Sequence, residues 1–152
     1  MISEYDLNLL KEIACIVYFD LPILKEMSVV QAIHESGYNR VSGASDLALK
    51  HNNLFGIKAK PWQKKVPVTT WEEINGRSTI TVKADFIKFD SAFECFTYHR
   101  VKMESARYKP VLEAKTVVDA FIQLYKCGWA TDSAYPDKLT NIYHKLKAQG
   151  RL

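Results

Sequence analysis

Cysteine, glycine and proline are scarce in this chain, at three, six and five of 152 residues, and each scarcity narrows what the protein can be. So little Gly and Pro, with no low-complexity segment and no internal repeat, excludes a fibrous or disordered chain. Cys15, Cys95 and Cys127 are odd in number and show no CxxC or His-rich ligand spacing, so they are expected to be plain buried thiols on apolar helix faces. No cluster of metal ligands is visible, and neither a metal nor a cofactor is expected. No apolar run approaches the roughly 18 to 20 residues that span a bilayer, so membrane insertion is not expected. Met1-Ile2-Ser3-Glu4-Tyr5-Asp6 lacks the basic region and apolar stretch of an export signal.

What is present suits one domain, residues 1–152, with a single core: 47% of the residues are apolar and 12% aromatic. A net charge of +4 and a pI near 8.9 favour approach to an anionic polymer. The basic residues are nevertheless spread along the chain, with no helix-turn-helix, zinc or RNA-motif signature, and nucleic acid is not an expected partner.

Apolar spacing of three and four predicts helices over 4–19, 22–36, 91–103, 113–127 and 135–148. Pro22 suits a first helical turn, and Gly37 and Gly128 suit helix ends, where a residue without a Cβ takes the left-handed conformation at least cost. Asp46 is expected to cap a short helix ending at Lys50 or His51. Residues 66–71 and 78–86 read as strands. In the second, Ile80, Val82, Ala84 and Phe86 alternate with polar residues, and Asn75-Gly76 is a hairpin signal. The expected architecture is a mostly helical α+β domain with one small hairpin.

Two places in this pattern carry candidate chemistry. Glu35 falls in the last turn of a helix, where the macrodipole is negative and a carboxylate is held less comfortably in its charged form. Apolar neighbours that also desolvate it would keep it protonated near neutral pH, as a general acid requires. Glu72 and Glu73 fall near the tip or upper edge of the hairpin, from which a flap brings a carboxylate over a cleft. Asn52 and Asn53, before an apolar turn containing Gly56, suit hydrogen bonds either to the chain's own backbone or to a sugar's hydroxyl and acetamido groups.

Gln31-Ala32-Ile33-His34-Glu35-Ser36-Gly37-Tyr38, followed by Asn52-Asn53-Leu54-Phe55-Gly56-Ile57-Lys58, resembles glycoside hydrolase family 73, whose signature runs QAxLESGWG and then NNLFGIK. Thr70-Trp71-Glu72-Glu73-Ile74-Asn75-Gly76 resembles that family's T-x-E-Y-x-N-G stretch, and Phe86-Ile87-Lys88-Phe89-Asp90-Ser91 its FRxYxS. Gly128-Trp129-Ala130-Thr131-Asp132-Ser133-Ala134-Tyr135, with Lys138-Leu139, resembles its GYATDPxYxxKL. The family comprises endo-β-N-acetylglucosaminidases of bacterial autolysins and flagellar rod-associated wall hydrolases.

The resemblance implies a lysozyme-like fold, a helical body with a small β-lobe over a substrate cleft, and a peptidoglycan hydrolase. It would cleave the β-1,4 bond from N-acetylglucosamine to N-acetylmuramic acid with Glu35 as general acid. Glu72, with Glu73 as the alternative, would be the second carboxylate. Asn53, Phe55, Trp129 and Tyr135 would meet the glycan. The partner would be the peptidoglycan strand, met by a monomer in the cell wall, periplasm or outside the cell. With no export signal visible, the expectation is that either a leader has been removed, or a phage lysis system or a secretion apparatus carries the protein across.

This sequence departs from the family pattern at Tyr38 and Asn39, which replace Trp and Gly, and at Trp129, which replaces a Tyr whose hydroxyl Tyr135 or Tyr108 would have to supply. Those departures prompt a second reading, a wall-binding module with weak turnover. A third is a lytic transglycosylase or muramidase on the same fold. Glu72 and the NNLFGIK run argue against the third, since a transglycosylase needs no second carboxylate to activate water.

Overall fold

The computed structural model describes the backbone of residues 1–74 and 78–152, and the side chains outside 70–80. The described residues form a mostly helical α+β chain whose centre is a single helix. Helix α1 (Glu4–Val17) is capped by Ser3, whose hydroxyl accepts from the Asp6 N–H, and buries Leu7, Leu10, Ala14 and Val17. Helix α2 (Pro22–Ser36) begins with Pro in its first turn and buries Leu24, Met27, Val29, Val30, Ala32 and Ile33. Those positions go all round the helix rather than along one stripe, which marks a helix packed on every side. Burial of this kind is worth about 1.5 to 3 kcal/mol for each large apolar side chain.

A short helix α3 (Asp46–His51) leads to the hairpin, in which β1 (Lys65–Ile74) pairs antiparallel with β2 (Ser78–Ile87), in register from Lys65↔Ile87 to Ile74↔Ser78. Helix α4 (Ala92–Met103) then packs on α1. A 3₁₀ turn (Ala106–Tyr108) and a short α5 (Lys109–Leu112) connect it to α6 (Val117–Lys126) and α7 (Tyr135–Ala148), both packed on α2. No helix among the described residues is long and apolar enough to cross a membrane.

Four expectations are corrected. Ser45, not Asp46, caps α3: its hydroxyl accepts from the Ala48 N–H, and Asp46 is the first helical residue. The helix expected over 113–127 starts only at Val117, where the Thr116 hydroxyl accepts from the Asp119 N–H. The expected strand end at Trp71 extends to Ile74, so Glu72 and Glu73 lie within β1, opposite Ile80 and Thr79. Of the three cysteines only Cys95 is buried, since Cys15 is exposed on α1 and Cys127 is half-buried. The Asn75-Gly76 turn lies outside the described residues.

Candidate active site

Glu35 owes its position to the way α2 stops. Gly37 takes φ of 87° and its N–H reaches the His34 carbonyl, which ends the helix two residues after the carboxylate. A Cβ at Gly37 would lie 3.3 Å from both the Arg40 Cδ and the Gly43 carbonyl oxygen. The turn therefore folds back on itself and keeps the Arg40 charge near Glu35.

Residues 52–58 form the facing wall. Asn52 ends α3 in a left-handed conformation, φ 54°, and its amide donates to the Phe89 carbonyl. Asn53 is 1% exposed. Its Oδ1 accepts from the Ile57 N–H at 2.9 Å, and its Nδ2 donates to the Ile57 and Ile87 carbonyls at 2.9 Å each. The sequence pointed to either a backbone or a sugar role for this amide, and the structure places it away from the cleft as a staple between the turn and the foot of the hairpin. Phe55 stacks on the His99 ring with centroids 4.0 Å apart and forms part of the cleft floor. Gly56, at φ 62°, lies over Glu35, where a Cβ would be 4.0 Å from Oε2.

The third wall comes from the end of the chain. Trp129 follows α6, with its N–H on the Leu124 carbonyl, and Tyr135 opens α7. These walls enclose an open cleft of about 470 Å³, lined by Glu35, Phe55, Gly56, Tyr108, Trp129 and Tyr135 with Lys58, Lys102 and Arg107. No group of three or more His, Cys, Asp or Glu able to hold a metal ion occurs among the described residues.

One oxygen of Glu35 is held and the other is not. Oε1 accepts the Tyr135 hydroxyl at 2.7 Å and the Trp129 indole N–H at 3.0 Å, while Oε2 takes no hydrogen bond from a described residue. Burial raises the Glu35 pKa above the ordinary carboxylate value; the bonds from Tyr135 and Trp129 and the charge of Arg40 oppose the rise without cancelling it. The arrangement suits a group that is protonated when substrate arrives and whose anion is met by two ready donors once the proton has gone.

The structure thus brings Glu35, Phe55, Trp129 and Tyr135 together and sets Asn53 apart. The side chains of Glu72 and Glu73 lie outside the described residues. Trp129, expected to meet the glycan, donates to Glu35, and the hydroxyl of Tyr135 rather than that of Tyr108 reaches the same carboxyl. Tyr108 packs against Trp129 instead, with ring centroids 5.9 Å apart. Sequence reasoning missed the cationic rim of Lys58, Lys102 and Arg107, which are scattered in the chain, and the approach of Gly56 to Glu35.

A largely buried carboxyl with two donors on one oxygen, set at the floor of an open cleft in a helical α+β body, is an arrangement able to give a proton to a bound molecule. The profile of the Glucosaminidase family, described as mannosyl-glycoprotein endo-β-N-acetylglucosaminidase, matches residues 14–148, and the chain belongs to that family. It is 36% identical over 138 residues to the exo-glucosaminidase LytG of Bacillus subtilis, covering 87% of this chain and 47% of that protein. It is 33% identical over 123 residues to the peptidoglycan hydrolase FlgJ of Salmonella typhimurium, covering 79% of this chain and 39% of that one. The chain therefore spans less than half the length of these two relatives. Among solved structures, the catalytic domain of the autolysin Auto from Listeria monocytogenes superposes with a TM-score of 0.77 at 26% identity, over 96% of this chain and 85% of that one.

Proposed function

We propose that the chain is a peptidoglycan hydrolase, an endo-β-N-acetylglucosaminidase that breaks the β-1,4 bond from N-acetylglucosamine to N-acetylmuramic acid. The observation that carries this reading is Glu35, half-buried at the cleft floor with its pKa raised and Oε1 held by Tyr135 and Trp129. Glu35 gives its proton to the glycosidic oxygen as the bond breaks and positive charge builds on the sugar. Glu72, on β1 opposite Ile80, is the carboxylate that activates water or supports that charge. Trp129 and Tyr108 offer aromatic surface to the sugar rings. The names of LytG, FlgJ and Auto support the substrate class, and the domain acts on the cell wall as a monomer.

The test is digestion of bacterial sacculi by the parent and by Glu35→Gln, Glu72→Gln and Glu73→Gln, with the reducing ends identified by mass spectrometry. The parent is expected to release fragments ending in reducing N-acetylglucosamine, Glu35→Gln and Glu72→Gln to release almost none, and Glu73→Gln to resemble the parent. Anhydro-muramic ends would indicate a lytic transglycosylase, and sacculus binding without release a wall-binding module. The naming of LytG as an exo-glucosaminidase favours one second reading, attack from chain ends, in which monomeric units are released in place of oligosaccharides.

A further inference from the structure

The hydrogen bonds that hold Glu35 continue inward past Tyr135. The Tyr135 hydroxyl lies 3.2 Å from Gln31 Nε2, Gln31 Oε1 lies 2.8 Å from His99 Nε2, and His99 Nδ1 lies 2.6 Å from the Tyr18 hydroxyl. Gln31, His99 and Tyr18 are each 0% exposed and none lines the cleft. The chain of contacts crosses the whole helical body, from the end of α1 through α4 and α2 to α7.

The donor and acceptor chemistry of each group gives this chain a direction. An indole nitrogen only donates, so Oε1 of Glu35 is an acceptor. An amide nitrogen only donates, so Gln31 Nε2 gives its hydrogen to the Tyr135 oxygen, and the one hydrogen of Tyr135 goes to Oε1. An amide oxygen only accepts, so His99 carries its ring hydrogen on Nε2, and Nδ1 accepts from Tyr18. Running the chain backwards would need the Gln31 amide turned end for end and the Glu35 proton on Oε1, where a hydroxyl oxygen accepts the Trp129 N–H less well than a carbonyl oxygen does. Burial, aided by the Lys102 charge, holds the His99 pKa down at about 3. The ring therefore stays neutral with a single hydrogen, and stacking on Phe55 fixes its plane.

We propose that Gln31, His99 and Tyr18 are positioning residues: acting through Tyr135, they reserve Oε1 of Glu35 as an acceptor and keep the transferable proton on Oε2, beside Gly56 in the cleft. An acid free to carry its proton on either oxygen would present it to the protein part of the time. Donors aligned in series strengthen one another, and they meet the charge that grows on Glu35 without having to reorient. The proposal rests on the reading of Glu35 as the general acid.

Two measurements on the full chain test it. Nitrogen-15 NMR of the parent is expected to find the His99 hydrogen on Nε2 and the ring neutral from about pH 5 to 8, where an unperturbed histidine titrates. A hydrogen on Nδ1, or a ring that titrates in that range, would overturn the proposal. Kinetics of Tyr18→Phe, changed far from the cleft, are expected to show kcat lowered roughly three- to tenfold, the worth of a neutral hydrogen bond, at unchanged KM. The alkaline limb of kcat/KM is expected to move to higher pH, because weaker donors leave the Glu35 anion less supported. Arg40, Lys58, Lys102 and Arg107, which face Glu35 or the cleft, are unaltered in this variant, as is Arg100, over the Tyr18 ring. A lower melting temperature with parental kcat and pH limb would mean that the buried groups serve the fold alone, and would also overturn it. Absence of any released fragment from the parent would instead refute the hydrolase reading, while the His99 tautomer would still decide the relay.

Discussion

Trp129 donates its indole N–H to Glu35 Oε1 over 3.0 Å, across 94 residues of sequence. At this position the family pattern has a Tyr, so the protein keeps a donor here while exchanging a hydroxyl for an indole. Trp129→Phe retains aromatic surface and deletes the donor. A hydrogen bond to a charged group is worth about 1.5 to 3 kcal/mol, so kcat is expected to fall roughly ten- to a hundredfold. The sign of the pH effect follows from the acid's role. Activity is present below the Glu35 pKa and lost as pH rises through it, and losing a donor to the anion raises that pKa further. The alkaline limb of kcat/KM should move to higher pH against the unchanged background of Arg40, Lys58, Lys102, Arg107 and Tyr135. An unchanged limb would mean that Trp129 serves the sugar alone.

The same burial that poises Glu35 costs stability. A carboxyl whose folded-state pKa is raised stabilises the fold fully below the unfolded-state value, and that contribution is lost as pH rises through the folded value. Glu35→Gln retains a carbonyl oxygen to accept from Trp129 and Tyr135 and cannot ionise. It is therefore expected to raise the melting temperature near pH 8 and to make little difference near pH 4, close to the ordinary Glu pKa. Thermal scans at the two pH values check this. Equal melting temperatures at the higher pH would show that the carboxylate is accommodated without strain.

Asn53 is expected to matter for folding more than for binding. Asn53→Ala removes the acceptor of the buried Ile57 N–H and one donor each from the Ile57 carbonyl, which keeps the Ile87 N–H, and from the Ile87 carbonyl at the foot of the hairpin. Unsatisfied buried groups cost about 1 to 3 kcal/mol each, and partial access of water brings the sum to about 2 to 4 kcal/mol. In a chain of this size that is a fall in melting temperature of roughly 5 to 15 °C. At a temperature where the variant is folded, its KM should stay within about threefold of the parent, a small effect on the scale of a lost sugar contact. A large rise in KM without loss of stability would return Asn53 to the substrate.

The contrast between Asn53 and Glu35 bears on what was legible before the structure. The limits of α2 could be read locally, because Pro22 and Gly37 act through the conformation of their own backbones, and α7 (Tyr135–Ala148) followed from its apolar spacing. The helix expected over 113–127 starts only at Val117, because Glu113, Ala114 and Lys115 favour helix by propensity while the Thr116 cap, followed by Asp119, fixes the start. The site was legible where a family motif marked it. Its wiring was not, because Gln31, His99 and Tyr18 sit in three elements and find one another only through packing. The signal available in advance was weak: a Gln between Val30 and Ala32 in an otherwise apolar run needs a buried partner, and nothing in the sequence says which.

Gly56 sets the approach to the acid. Its φ of 62° is the left-handed region, and among the described residues a Cβ there would meet only Glu35 Oε2 within 4 Å. Gly56→Ala should therefore cost about 1 to 2 kcal/mol through backbone conformation alone, since no packed neighbour is displaced. Its effect on catalysis should be larger, because the methyl would occupy space beside the oxygen that has to reach the glycosidic bond. We expect kcat to fall by about a hundredfold, the scale of a small misplacement of reacting groups, with the fold retained by circular dichroism. If kcat instead fell only in proportion to the fraction unfolded, the proton would have to leave Glu35 from the other side, and Oε1 would be the oxygen that faces the sugar.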